Sequence, residues 1–412
     1  MYRLRNQIMN YAWGSFDAIS SLEGRPPSAQ PEAEVWMGAH PKASSFVDLV
    51  QGSVPLTNLI AAAPNEWLGP EVNYEYSGTL PYLFKILAAA TPLSLQAHPS
   101  IAQAEAGYAA EDAARIPLDA PHRNYRDRNH KPELICALTR FETLCGFRAR
   151  DLSATLVHEL NQPALTQAVL PLFSDPLSDE SAIKATFSGL MLLPRNEQHQ
   201  LVNLVLQSLP HGSSPFANSY KWARRLGELY PGDIGVVSSL LLNQVTLQPG
   251  QALYLPAGNL HAYLEGLGVE LMANSDNVLR GGCTPKHVDV NELLKVLSFR
   301  GGPIPIINPA PHDAPVQRYL TEAREFELTR VQVAGSLTLP PNPGPRIVLV
   351  TKGQIELTQS VGQGELTYQE QRPLELSAGQ SAYLLPHTAP TLHGTGLAFV
   401  SGLGHLDAMQ AD

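Results

Sequence analysis

Two stretches of the chain repeat one another. Gly250-Gln251-Ala252-Leu253-Tyr254-Leu255 is echoed by Gly379-Gln380-Ser381-Ala382-Tyr383-Leu384, and each runs on into a proline-containing turn with a histidine. A tight turn, a tyrosine-bearing strand and a second turn, used twice, predict two small β-barrels of the jelly-roll or cupin kind. Only the first copy continues as Pro256-Ala257-Gly258-Asn259-Leu260-His261. The second, Leu385-Pro386-His387-Thr388-Ala389-Pro390, is degenerate, so structure without chemistry is expected there.

The remaining segments fall around these two units. From Met1 to about Arg150 short apolar runs such as Tyr82-Leu83-Phe84-Lys85-Ile86-Leu87 and Leu134-Ile135-Cys136-Ala137-Leu138 alternate with turn residues, a strand-rich pattern. Leu152, Leu156 and Leu160, then Leu201, Leu204, Val205 and Leu209, recur at helical steps. Strand signals return at Gly235-Val236-Val237 and Val245-Thr246-Leu247, and the Pro-rich stretch 302–311 reads as a linker. The expected fold is therefore mainly β with an α-helical insert. A discontinuous cupin-like domain takes 1–150 and 235–310, the helical insert takes 151–234, and a C-terminal cupin-like domain without chemistry takes 316–412.

Composition narrows the partners. Lys+Arg 28 against Asp+Glu 38 gives a formal charge of −10 with no Lys/Arg block, which disfavours nucleic acid and anionic membranes, since both require a basic face. Any cations that meet an anionic substrate must be local. Cys136, Cys145 and Cys283 are odd in number, widely spaced and form no CxxC pair, which predicts a reducing, cytoplasmic setting and no thiolate-metal site. No apolar stretch approaches the roughly 18 residues of a membrane span, and Met1-Tyr2-Arg3-Leu4-Arg5-Asn6 lacks an apolar signal core.

Three polar clusters interrupt apolar surroundings. In Leu93-Ser94-Leu95-Gln96-Ala97-His98-Pro99 an extended backbone puts Ser94, Gln96 and His98 on one face, in a site or against solvent. In Asn129-His130-Lys131-Pro132-Glu133, Lys131 and Glu133 project from the same side, as site residues or as an exposed ion pair. His261 follows a tight turn, at a barrel mouth or as a hydrogen-bonded structural histidine. Together Gln96, His98, Glu133 and His261 offer two imidazoles and two oxygens, a set suited to Zn²⁺, with Mn²⁺ and Co²⁺ admissible by ligand type. Farther along, Thr284 is a candidate N-cap and Pro285 a first helical residue ahead of Leu293, Leu294 and Leu297. Lys286 is then expected in a helix's first turn, where an anion is favoured, or as a solvated surface lysine.

Asn10-Tyr11-Ala12-Trp13-Gly14-Ser15, Glu34-Val35-Trp36-Met37-Gly38-Ala39-His40-Pro41, the Gln96 and Lys131 motifs and the run from Pro256 to Lys286 resemble, in order, the type I mannose-6-phosphate isomerases. The resemblance implies a zinc-dependent aldose-ketose isomerase, one Zn²⁺ per chain, with metal ligands at Gln96, His98, Glu133 and His261 and a catalytic arginine at Arg280. The family usually has Ala-Gly-Leu before Thr-Pro-Lys. Here Gly281-Gly282-Cys283 stands instead, and a more flexible loop is expected.

Moving a proton between C1 and C2 through a cis-enediol requires a base, a stabiliser for the oxyanion and a phosphate anchor. Glu270 is assigned as the base, from its apolar strand and the family similarity, with Arg280 and Lys131 stabilising charge. Lys286, Lys85 and Ser94 are assigned to the phosphate, the substrate supplying Lys85 with its counter-charge. The expected partner is a small phosphosugar, and the expected form a monomer. The competing readings are a cupin oxygenase using Fe²⁺ and a non-catalytic, metal-binding bicupin that binds or stores sugar.

Overall fold

The structure is a computed structural model that describes residues 1–50, 52–312, 314–359 and 373–404. Residues 360–372 and 405–412, within the expected C-terminal domain, lie outside the described residues. Among the described residues two large antiparallel sheets carry the fold.

The first sheet is organised around Tyr82–Ala89 and His261–Ala273, paired from Tyr82↔Ala273 to Ala89↔Gly266. All eight residues of Tyr82–Ala89 are buried because both faces of the strand are covered. Tyr82, Phe84, Ile86 and Ala88 point outward into a core shared with the second sheet. Leu87 and Ala89 point inward and join Ile135, Phe141, Leu253 and Tyr263 in an apolar plug. Lys85 lies on that inward face, directly opposite Glu270 and next to Trp36.

The second sheet joins 316–319, 327–338, 390–402, 346–359 and 381–384, with Leu374–Ser377 paired to Arg346–Gln359. Its inward side chains, among them Val331, Val348, Val400 and Leu384, fill a separate core. Its outward ones, Ile347, Leu349, Tyr383 and Phe399, pack with Phe84, Ile86 and Leu271 of the first barrel. The third layer is helical. Leu156, Phe187, Val202 and Leu226 form one core with Leu95, Ala97, Leu260 and Ala262, the backs of the strands that carry Gln96, His98 and His261.

Four features depart from the sequence reading. Strands Tyr2–Arg5, Phe46–Leu49 and Gly52–Pro55 extend the second sheet, with Tyr2 opposite Tyr383 and Leu4 opposite Val47, so the first residues of the chain tie the two barrels together. Region 1–150 also contains helices, notably Ile101–Ala113, closed by a Ser100/Gln103 capping box. Gly235-Val236-Val237 belongs to the short helix Gly235–Ser238, not a strand, because Asp233 accepts a hydrogen bond from the Gly235 amide (2.7 Å) and starts a turn. The Pro-rich stretch is not a free linker, since Ala252 and Ile307 exchange both backbone hydrogen bonds (2.9 and 2.8 Å).

Phe399 is 1% exposed in the core that joins the barrels. Phe399→Ala should lower the unfolding free energy by about 3–5 kcal/mol. Because that core belongs to both barrels, denaturant unfolding should remain a single transition when followed by far-UV dichroism and by tryptophan fluorescence.

Candidate metal centre

At the open end of the first barrel the inward positions change from apolar to charged. Leu95 and Ala97 are held in the helical core, which turns Gln96 and His98 the other way. His261 lies directly opposite Gln96, and Arg280 flanks Gln96 on its other side. Glu133 opens the next strand, opposite Met272 and Leu255. Donor atoms of His98, Glu133 and His261 all fall within 4.8 Å of one another, and all three residues are buried.

The hydrogen bonding of the imidazoles fixes what this cluster can hold. His98 Nδ1 donates to the Asn277 carbonyl (2.7 Å) and His261 Nδ1 to the Asn259 carbonyl (3.0 Å). Each Nε2 then presents a lone pair, and neither has a hydrogen-bond partner. They lie 3.3 and 3.2 Å from the two oxygens of Glu133. Two lone pairs crowded against a carboxylate are unfavourable without a cation, and a divalent metal satisfies all three. Burial also lowers the His98 pKa to about 4, leaving the ring neutral as ligation requires. Burial pushes the Glu133 carboxyl upward, but the charge of Lys131 beside it overcomes this and holds the group well below the usual range. Lys131 Nζ is 2.8 Å from Glu133 Oε1, on the side expected from the sequence.

On the same face lies a second buried charged group. Lys85 Nζ is 2.8 Å from Glu270 Oε2 and 3.3 Å from Glu34 Oε1, and it stands over the Trp36 ring. Burial opposes its charge, but Glu270 and Glu34 raise its pKa above the ordinary lysine value. Glu270 moves up as well, through burial and the neighbouring Glu133 and Glu34, against the pull of Lys85. The expectation that a substrate phosphate neutralises Lys85 is therefore corrected, because two protein carboxylates already do so.

Arg280 and Lys286 behave differently. Among the described residues neither forms an ion pair with an acid. Burial lowers the pKa of both; Arg126 lowers that of Arg280, and Arg280 and Arg126 lower that of Lys286. The three cations thus form an uncompensated group beside the metal-type cluster. Lys286 is exposed and precedes the helix instead of opening it. The helix is Val290–Val296, capped by Asp289, whose carboxylate accepts from the Glu292 amide, while the Thr284 hydroxyl is engaged by the Lys286 amide (3.1 Å). Ser94 is half-buried just ahead of the strand Leu95–Ala97.

The expected flexible loop is instead packed. Gly282 pairs with Leu95 and has φ +121°, and a Cβ there would lie 2.7 Å from the Gly235 Cα. Asp233 also accepts from the Thr284 amide (3.2 Å), so the loop is fastened to the helical layer.

Sequence reasoning missed Asn277, which is fully buried. Its carbonyl receives His98 Nδ1–H. Its side-chain amide donates to the Asp127 and Asn129 carbonyls (2.9 and 2.8 Å), and its side-chain oxygen accepts from the Arg126 amide (2.7 Å). One residue thereby links a metal-type histidine to the segment that leads into Lys131 and Glu133. Glu34 was legible only as part of a motif, and its role as a partner of Lys85 depends on strand register.

A two-barrel cupin-like protein with a His₂-carboxylate centre is thus defined by fold and site. The family model for the phosphomannose isomerase type I catalytic domain matches residues 1–150. Mannose-6-phosphate isomerase of Escherichia coli (strain K12) is 36% identical over 405 residues, spanning 96% of this chain and 98% of that one. The Homo sapiens counterpart is 30% identical over 411 residues, 93% and 95% of the two chains. A zinc-bound mannose 6-phosphate isomerase crystal structure superposes with TM-score 0.88 at 33% identity, covering 98% of this chain and 99% of the other. A single-substitution variant of phosphomannose isomerase from Salmonella typhimurium gives 0.86 at 33% identity, over 98% and 100%. The chain belongs to the type I mannose-6-phosphate isomerase family.

Removing the side chain of Asn277 should loosen His98 without deleting any donor atom. Asn277→Ala is expected to weaken zinc binding by roughly 10–100-fold, measured by competition with a chromophoric chelator.

Proposed function

We propose that this chain interconverts mannose 6-phosphate and fructose 6-phosphate as a zinc-dependent aldose-ketose isomerase, with one Zn²⁺ per chain held by Gln96, His98, Glu133 and His261. The observation that carries this reading is the pairing of a buried His₂-carboxylate cluster with an adjacent group of cations that lack acidic partners among the described residues. One end suits a divalent metal and the other a phosphate. A non-catalytic sugar-binding bicupin has no need of Lys131, Glu270 and Lys85 buried beside the metal position.

When bound, zinc supplies Lewis acidity that polarises the sugar oxygens at C1 and C2. Glu270 takes the C2 proton of the aldose. Its burial raises its basicity, and Lys85 holds it in place from the opposite strand. The C–H electron pair forms the C1=C2 bond of the cis-enediol while the former carbonyl oxygen gains a proton. Lys131 and Arg280 offset the negative charge that develops on O1 and O2. Return of the carried proton to C1 and loss of the O2 proton give the ketose. Lys286, with Ser94 and the neighbouring Arg126, anchors the phosphate at C6, and Lys85 supports Glu270 instead of the anchor.

The partner is a small phosphosugar and the working form a monomer in the cytoplasm, with neither nucleic acid nor membrane. In support, none of the described helices is long and apolar enough to cross a membrane, and Cys136, Cys145 and Cys283 are buried and unpaired.

The deciding experiment is a coupled assay with mannose 6-phosphate on metal-stripped and zinc-restored protein. Turnover should vanish on stripping and return with zinc, and a His98→Ala, His261→Ala double variant that retained full metal content would refute the ligand set. Arg280→Ala should lower kcat by about 10²–10³ while zinc content is unchanged; an equal fall in both would make the residue structural. Lys286→Ala should erase most of the preference for mannose 6-phosphate over free mannose, whereas Glu270→Gln should slow both and suppress exchange of the C2 proton with solvent. An unchanged preference in Lys286→Ala would move the phosphate elsewhere in the cleft.

A further inference from the structure

The second barrel also has a mouth, and among the described residues its charge balance is the reverse of the first. The register gives its lining. Arg318 lies opposite Thr329, Thr329 opposite Val400, and Val400 opposite Val348. Val348 and Val400 belong to the apolar interior of this barrel, so Arg318 and Thr329 continue the same inward face. Arg346 lies opposite Leu384, another interior residue. Where the apolar filling ends, a cavity of about 140 Å³ opens, lined by Arg318, Thr329, Asn342 and Arg346 among others.

Arg346 is 6% exposed, yet among the described residues no carboxylate pairs with it. Nη1 donates to the Pro340 carbonyl (3.0 Å) and Nη2 to the Thr388 carbonyl (2.6 Å), while Nε has no partner. The acid in the lining, Glu327, is matched by Arg318 at 3.6 Å and accepts a long hydrogen bond from the Thr329 hydroxyl (3.5 Å), which an anion would draw away. A buried guanidinium with only carbonyl partners is costly, and burial drops its pKa to about 10. A planar fork of donors beside a small cavity at a barrel mouth has the chemistry of an oxyanion receptor.

We propose that the mouth of the C-terminal barrel binds a small tetrahedral oxyanion, of the inorganic phosphate class, on the Arg346 guanidinium with Asn342 and Thr329 as neutral donors. This site is separate from the one that handles the phosphosugar. It also gives the degenerate second barrel a binding role without metal or turnover.

The test is equilibrium binding of radiolabelled orthophosphate to the zinc-loaded enzyme, with and without saturating mannose 6-phosphate. Two classes of phosphate are expected: one displaced by the sugar phosphate and one retained. Arg346→Lys should weaken the retained class at least tenfold and leave turnover unchanged. Thr329→Val, which keeps the guanidinium and the packing, should weaken it by a smaller factor, so the proposal stays testable if the Arg346 variant fails to fold. Absence of a retained class in the wild-type protein overturns the site, as does a retained class indifferent to both substitutions. If mannose 6-phosphate displaces nothing but Arg346→Lys still removes one class, the isomerase reading fails and the oxyanion site stands.

Discussion

Everything at the active end of this molecule depends on burying charge inside a barrel. Lys85 sits between Glu270 and Glu34, and Glu133 sits between Lys131 and two imidazoles. An isolated charge in such a place is prohibitively costly, and removing one partner of a buried pair typically costs about 3–5 kcal/mol. The layer is tolerable only because the strand register delivers each charge opposite its complement. Lys85 meets Glu270 because Tyr82–Ala89 and His261–Ala273 pair without a slip, and a one-residue shift of either strand would put the two on opposite faces.

Two cores prevent that shift, both on the outer face of the barrel wall. The outward residues of Tyr82–Ala89 are fixed against Phe399 and Tyr383 of the second barrel. The outward residues beside Gln96, His98 and His261 are fixed against the helices. The C-terminal barrel and the helical layer therefore act on the metal centre without touching it: they determine which way alternate side chains point. Asn277 and Asp127 do the same over a shorter range by tethering the two loops that meet at the centre.

How much of this was legible in the sequence varies with the range of the interaction. Alternation in Ser94-Leu95-Gln96-Ala97-His98 predicts that Gln96 and His98 share a face, and the X-Pro step predicts that Lys131 and Glu133 emerge together. Both are local, and the fold has both arrangements. The Ser100/Gln103 capping box is equally local. Glu34 as partner of Lys85 is not local: it requires knowing that Trp36 lies opposite Lys85. The fastening of Gly282 is not local either, because a run of glycine reads as freedom until Gly235 fills the space where a side chain would be. Lys286 failed for another reason. Thr284 and Asp289 both resemble N-caps, and only Asp289 has its carboxylate on a free helical amide.

The two barrels share an architecture, and their inward charge explains why only one suits a metal. In the first, Glu34, Glu133 and Glu270 face Lys85 and Lys131, three formal negative charges against two positive, so the protein alone leaves the layer at −1. A divalent cation changes that to +1, and Arg280 and Lys286 at the edge add further positive charge. A phosphosugar entering such a cleft meets a field matched to its own charge, although the chain as a whole is at −10. Among the described residues at the mouth of the second barrel Glu327 balances Arg318, and Arg346 has no carboxylate partner. Carboxylates in excess collect a cation, and a guanidinium in excess collects an anion. Among the described residues the second repeat thus brings together no set of metal ligands, and its mouth has the opposite sign.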